Sequence, residues 1–102
     1  MLLNTFDRLI LLNVLPKEGD ITTLKIIRKL KDDLSFSEEE HTALQFKNED
    51  GNIMWKEEAD IKKEIEIGEK ATDIIAEALK KLNKERKLTE AHIPVFEKFV
   101  GG

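Results

Sequence analysis

The apolar residues of this chain change period along its length, and that change constrains the fold more than any other feature. From Leu2 to Leu34 they recur at spacings of three and four. From Leu44 to Trp55 they alternate with polar residues, and beyond Gly68 the helical spacing returns. The first pattern makes one apolar stripe on a helix, and the second makes one apolar face on a strand. The order implied is helix, helix, short helix, β-hairpin, a segment of open assignment, helix, helix.

The helix ends carry their own signals. Leu2 to Leu15 is the richest apolar run, so the first helix is expected to be central; Asn4 or Thr5 can cap it and Pro16 stops it. Asp20 is an N-cap for a second helix, Ile21 to about Leu34, with Leu24, Ile27, Leu30 and Leu34 on its inner face. Ser37-Glu38-Glu39-Glu40 is a capping box for a third helix ending near Ala43.

Asp50-Gly51 between alternating runs marks a two-residue hairpin loop, which places Phe46 opposite Trp55 and Asn48 opposite Ile53. Glu57 to Asp60 reads as an acidic, mobile stretch, and Lys63 to Ile67 as a third strand or an extended lead into the next helix. That helix runs from about Gly68 to Lys84, and Thr89 caps a last one bearing Pro94 in its first turn.

At 102 residues, with 40% apolar and 37% charged residues, the chain is sized for a single domain, residues 1–102. The absence of cysteine excludes disulfides, thiolate metal sites and cysteine nucleophiles. No run approaches the roughly 18 apolar residues of a membrane span. The opening Met1 to Asp7 lacks a basic leader region, so the cytoplasm is the expected compartment. The net charge of −4 lowers the expectation of a polyanionic partner, because phosphate binding draws on clustered Lys and Arg.

The stretch Thr22 to Arg28, together with Phe36-Ser37-Glu38-Glu39-Glu40-His41, resembles small phage- or prophage-type proteins of unassigned function. Leu79 to Lys84 and Lys87-Leu88-Thr89 add to that resemblance. It implies neither a catalytic residue nor a ligand.

Each candidate chemistry has a plainer reading beside it. In a DNA-binding winged helix the third helix enters the major groove, yet here that helix begins with three carboxylates. Lys25, Arg28 and Lys29 on the second helix could touch phosphate, as could Lys80, Lys81 and Lys84; solvated helix faces explain both groups more simply. Glu38-x-x-His41 has the spacing of a carboxylate metal pair but lacks the second copy such sites need. No nucleophile, phosphate-loop or zincin motif is present.

Trp55 is either a lid on the core, the favoured reading, or a binding anchor. Met54 should point to the opposite strand face, as a small adaptable contact. The expectation is an α+β, mostly helical domain of four to five helices and a small β-hairpin, winged-helix-like in the order of its N-terminal half. Its expected role is that of a non-enzymatic protein-interaction or accessory module without cofactor. A protein partner met through Met54 and Trp55 is preferred, or self-association that buries the generous apolar faces of the first, fourth and fifth helices. A nucleic-acid-binding, transcription-regulating winged helix using Lys25, Arg28 and Lys29 is the alternative, and a small enzyme the least favoured reading.

Overall fold

Asn4 starts the first helix, α1 (Thr5–Val14): its side-chain oxygen accepts the Asp7 N–H at 2.8 Å, and the Asp7 carboxylate reaches back to the Asn4 N–H. The computed structural model describes residues 1–60 and 62–101. Leu15 turns extended ahead of Pro16, as a residue before proline must. Leu2–Leu3 lie ahead of this helix and form a strand, β1. The Asn4 cap separates the two conformations.

Helix α2 (Ile21–Leu34) begins at Asp20, whose carboxylate accepts the Thr23 N–H at 2.7 Å. Ile27, Leu30 and Leu34 are buried as the helical stripe requires, but Leu24 is exposed, and Ile26 packs against the core instead. The inward face is therefore rotated towards the Ile26 side of the expected stripe.

Helix α3 (Glu38–Leu44) has the full Ser37–Glu40 capping box and ends at Gln45 in the left-handed region. Strands β2 (Lys47–Glu49) and β3 (Asn52–Met54) then pair antiparallel in the expected register, Asn48 opposite Ile53. Asp50 and Gly51 both have positive φ, 51° and 81°, as a two-residue loop matching strand twist demands.

Glu57–Ala59, in the stretch read as mobile, forms one 3-10 turn. Strand β4 (Lys63–Glu64) follows and pairs with β1, Leu2 opposite Glu64. Lys63 and Glu64 are thus a strand whose partner is the start of the chain, and Ile65 beyond them is buried in the core.

Helix α4 (Glu69–Lys84) and helix α5 (Ile93–Phe99) complete the fold. Pro94 fits the first turn of α5 because the N–H it lacks has no intrahelical acceptor there. His92 Nδ1 accepts the Thr89 N–H at 3.0 Å and caps the 3-10 turn Glu90–His92 that leads in.

Helix α1 packs on α2, α4 and α5, so the most apolar helix is the central one. Leu11, Leu34, Ile75, Leu79 and Val95 are fully buried around it. The architecture is mostly helical α+β, with two separate two-stranded antiparallel sheets. Three helices and a hairpin do follow one another in winged-helix order, and among the described residues the hairpin takes no third strand. No helix among the described residues is long and apolar enough to cross a membrane.

Candidate interaction surface

Three polar residues in the first turn of α1, Thr5, Asp7 and Arg8, are buried despite their polarity. Buried charges require partners, and each of the three has one on a different element. Asp60 accepts both the N–H and the hydroxyl of Thr5, at 3.0 and 2.8 Å. Lys98 of α5 meets Asp7 at 2.6 Å. Arg8 donates to the Leu34 carbonyl at 3.1 Å, to the Ser35 carbonyl at 2.6 Å, and through two nitrogens to the Glu40 carboxylate.

Arg8 thereby pins the α2–α3 loop onto α1. Its guanidinium also lies 3.9 Å from the Phe36 ring centroid, a cation–π contact that sets the ring's place. Phe36 then meets Phe46 edge-on at 5.1 Å, and His41 meets both rings. Phe46 continues to Trp55 at 6.2 Å, and Trp55 to Phe6 at 6.3 Å. The contacts among Phe36, His41, Phe46 and Trp55 are edge-to-face, a favourable geometry at these separations, while Phe6 and Trp55 are tilted by 35°. An aromatic cluster thus joins α1, the α2–α3 loop, α3 and the hairpin, apart from the main core.

A groove of about 310 Å³ opens on this cluster, lined by Leu9, Phe36, His41, Phe46 and Ile53, with Lys47 and Asn48 along one side. Ile53 is half exposed. Residues 38–60 hold eight carboxylates against Lys47 and Lys56, so this lobe carries a net −6 with histidine neutral. Glu40 is occupied by Arg8 and Asp60 by Thr5. Glu38, Glu39, Glu49, Asp50, Glu57 and Glu58 enter no ion pair among the described residues. The Arg8 bonds hold the Glu40 carboxyl down to about 2, against the cost of burial and with help from the Ser37 N–H.

The two hairpin residues singled out by sequence differ in exposure. Trp55 is half-buried between Phe6 and Phe46, with its indole N–H buried and lacking a partner among the described residues. Met54 is exposed. Lys25, Arg28 and Lys29 are exposed along α2. Lys25 and Lys29 border a cleft of about 460 Å³ between α2 and the start of α4, but Asp33, Glu66 and Glu69 border it too. Sequence reasoning missed Leu9 and Phe36; the one available signal was an aromatic residue inside a four-residue joint.

Among the described residues no three of His, Cys, Asp and Glu gather as metal ligands. Thr89 Oγ1 and His92 Nδ1 lie 3.0 Å apart, but that imidazole nitrogen already accepts the Thr89 N–H in the cap. No protein-family model matches the chain, and comparison with curated proteins and with solved structures gives no match.

Proposed function

We propose that this chain is a non-enzymatic protein-interaction module that meets its partner through the α3–hairpin lobe. The observation that carries the reading is the apolar groove beside Ile53, set in a lobe whose residues 38–60 carry a net charge of −6. Apolar side chains supply contact energy there, and the charge selects and steers the partner. Met54 and Ile53 serve as contacts, while Trp55 holds the groove wall from behind.

The test is affinity capture from native cytosol with the full chain, with Ile53→Asp and Met54→Asp, and with Lys84→Glu as a distant control. Loss of the same captured protein in both hairpin variants, and its retention by the control, supports the reading. Identical capture by all four chains defeats it.

The alternative, a winged-helix nucleic-acid-binding protein, draws on the exposure of Lys25, Arg28 and Lys29. The carboxylates that share their cleft weaken it. A labelled duplex shifted in a salt-dependent way by the wild-type chain, and not by the triple alanine variant, would favour it over the protein-interaction reading.

A further inference from the structure

We propose that the α3–hairpin groove takes an extended, cationic segment of a partner protein, added as a third strand on the open edge of β2 with one large apolar side chain in the groove. The proposal rests on the reading of that lobe as a contact surface and names the form of what it contacts.

Phe46, Lys47 and Asn48 line the groove one after another. Side chains along a strand alternate between its two faces, so a groove walled by side chains alone would meet every second residue. Three consecutive residues place it at the strand's edge, where backbone is presented. Strand β3 contributes only Ile53, so the groove lies along β2 and not along the opposite edge of the hairpin.

That edge is unpaired. Asp50 and Gly51 form a two-residue loop, so Glu49 and Asn52 flank it as a hydrogen-bonded pair, and paired and unpaired positions alternate from there. Asn48 opposite Ile53 is therefore a non-hydrogen-bonded pair, and the Asn48 N–H and C=O point out of the hairpin. Among the described residues no further strand joins β2, and neither group has another backbone partner.

One residue of an added strand meets both groups, and its side chain then lies on the same face as that of Asn48. Phe46 and Ile53 share that face, and Leu9, Phe36 and His41 close it, so the entering side chain is large and apolar. Backbone pairing supplies affinity in this mode, and the pocket for the alternate side chain supplies specificity. The neighbours of the inserted residue point to the other face, where Glu49 is exposed and outside any ion pair among the described residues. A cation opposite Glu49 completes that pair, and Lys47, on the same face, disfavours a second cation on the other flank. The net −6 of residues 38–60 draws a cationic segment and repels the identical lobe of a second copy, which sets hairpin-to-hairpin pairing of two copies aside.

The experiment titrates the isotope-labelled full chain with the acetylated and amidated peptide Thr-Thr-Lys-Ile-Thr-Thr, up to about 5 mM, and follows amide shifts and exchange by nuclear magnetic resonance. Antiparallel pairing sets its lysine opposite Glu49 and its isoleucine opposite Asn48. The expected result is saturable binding that slows exchange of the Asn48 amide and weakens as salt is raised. Asn48→Pro removes the outward N–H and leaves the bonds of Lys47 and Glu49 to β3, so it should weaken binding about fivefold. Asn48→Thr keeps the N–H and should bind as the wild type does. Serine in place of the peptide's isoleucine, and Glu49→Lys in the chain, should each weaken binding. Absence of binding, an Asn48 amide whose exchange is unchanged at saturation, or equal affinity of Asn48→Pro and Asn48→Thr overturns the proposal. The exchange of Asn48 is read in the wild-type chain, so it decides the matter even if Asn48→Pro loses its hairpin. If the peptide fails while Ile53→Asp and Met54→Asp still lose the captured cytosolic protein, this inference falls alone and the interaction reading stands.

Discussion

The Arg8 guanidinium and the Glu40 carboxylate meet through two charge-assisted bonds, joining the middle of the fold to the start of α3. Arg8 is 1% exposed and spends its remaining donors on the Leu34 and Ser35 carbonyls. Arg8→Ala strands all three acceptors and empties the space over Phe36. Removing one member of a buried ion pair costs about 3–5 kcal/mol, from a total that for such domains is about 5–15 kcal/mol. Glu40→Gln keeps an acceptor and should cost less, about 1–3 kcal/mol. Arg8→Lys should not rescue, because an ammonium cannot fork to a carboxylate and two carbonyls at once. Urea midpoints in the order wild type, Glu40→Gln, Arg8→Ala are expected; equal midpoints for the two variants would contradict this account.

The same pair gives the chain a specific acid sensitivity. Arg8 lowers the Glu40 carboxyl from an ordinary 4.5 to about 2 in the folded chain. The unfolded chain therefore takes up the proton first, so the stabilisation is complete above the ordinary value and drains as pH falls from 4.5 towards 2. Asp20 is also lowered, by the Thr23 N–H, but it behaves alike in wild type and Glu40→Gln and cancels in their difference. The gap between their urea midpoints should be constant from neutral pH down to about pH 5 and close towards pH 2. A gap of constant width over the acid range would show that Glu40 is not the group responsible.

Local signals in the sequence predicted local structure well, and long-range burial poorly. Asp20, the Ser37–Glu40 box and Asp50-Gly51 each place an element boundary or a register, because their bonds close within a few residues. Phe46, Ile53 and Trp55 were assigned to one hairpin face for the same reason. Asp7 and Arg8 looked like interruptions in an apolar run, because their partners Lys98, Leu34 and Glu40 lie far away in sequence. Leu24 fitted the inner stripe by spacing alone, since a helical period tolerates a modest rotation of the face. The groove was hidden because Leu9, Phe36, Phe46 and Ile53 come from four separate segments.

Asp60 extends this logic to the start of α1. Its carboxylate accepts the Thr5 N–H and hydroxyl, so a residue beyond the hairpin satisfies the first turn of the first helix. Asp60→Ala should cost about 1–2 kcal/mol, the range for loss of a helix-capping side chain. Asp60→Asn keeps the accepting oxygen and should cost a fraction of that. Thr5→Val removes only the hydroxyl bond. A double-mutant cycle between Thr5→Val and Asp60→Ala should show coupling, and additive losses would mean that the Thr5 hydroxyl bond does not contribute.

Trp55 carries a buried N–H without a partner among the described residues, an arrangement that costs stability for as long as it persists. Trp55→Phe removes that donor along with part of the ring area. The two effects oppose, so the change in stability should stay within about 1 kcal/mol. Trp55→Ala loses both the Phe6 and the Phe46 contacts with no compensation beyond the donor, and should cost clearly more. If Trp55→Phe proves as damaging as Trp55→Ala, the indole N–H has a hydrogen-bond acceptor in solution.

The hairpin loop offers the sharpest test of the register that aligns Phe46 with Trp55. Gly51 has φ +81° with open space where a side chain would stand, so Gly51→Ala meets no clash and pays only for the left-handed backbone. That cost is about 1 kcal/mol, and it falls on a two-stranded sheet whose six strand residues are all exposed. The hairpin should therefore loosen before the core does. Amide exchange should accelerate at Asn52 and Met54 in Gly51→Ala while amides of α1 and α4 keep their protection. Asp50→Gly relieves the neighbouring positive φ of 51° and should leave the hairpin intact. Uniform acceleration across α1 and the hairpin in Gly51→Ala would mean that the lobe and the helical core open as one cooperative unit, against the separation of aromatic cluster and core described above.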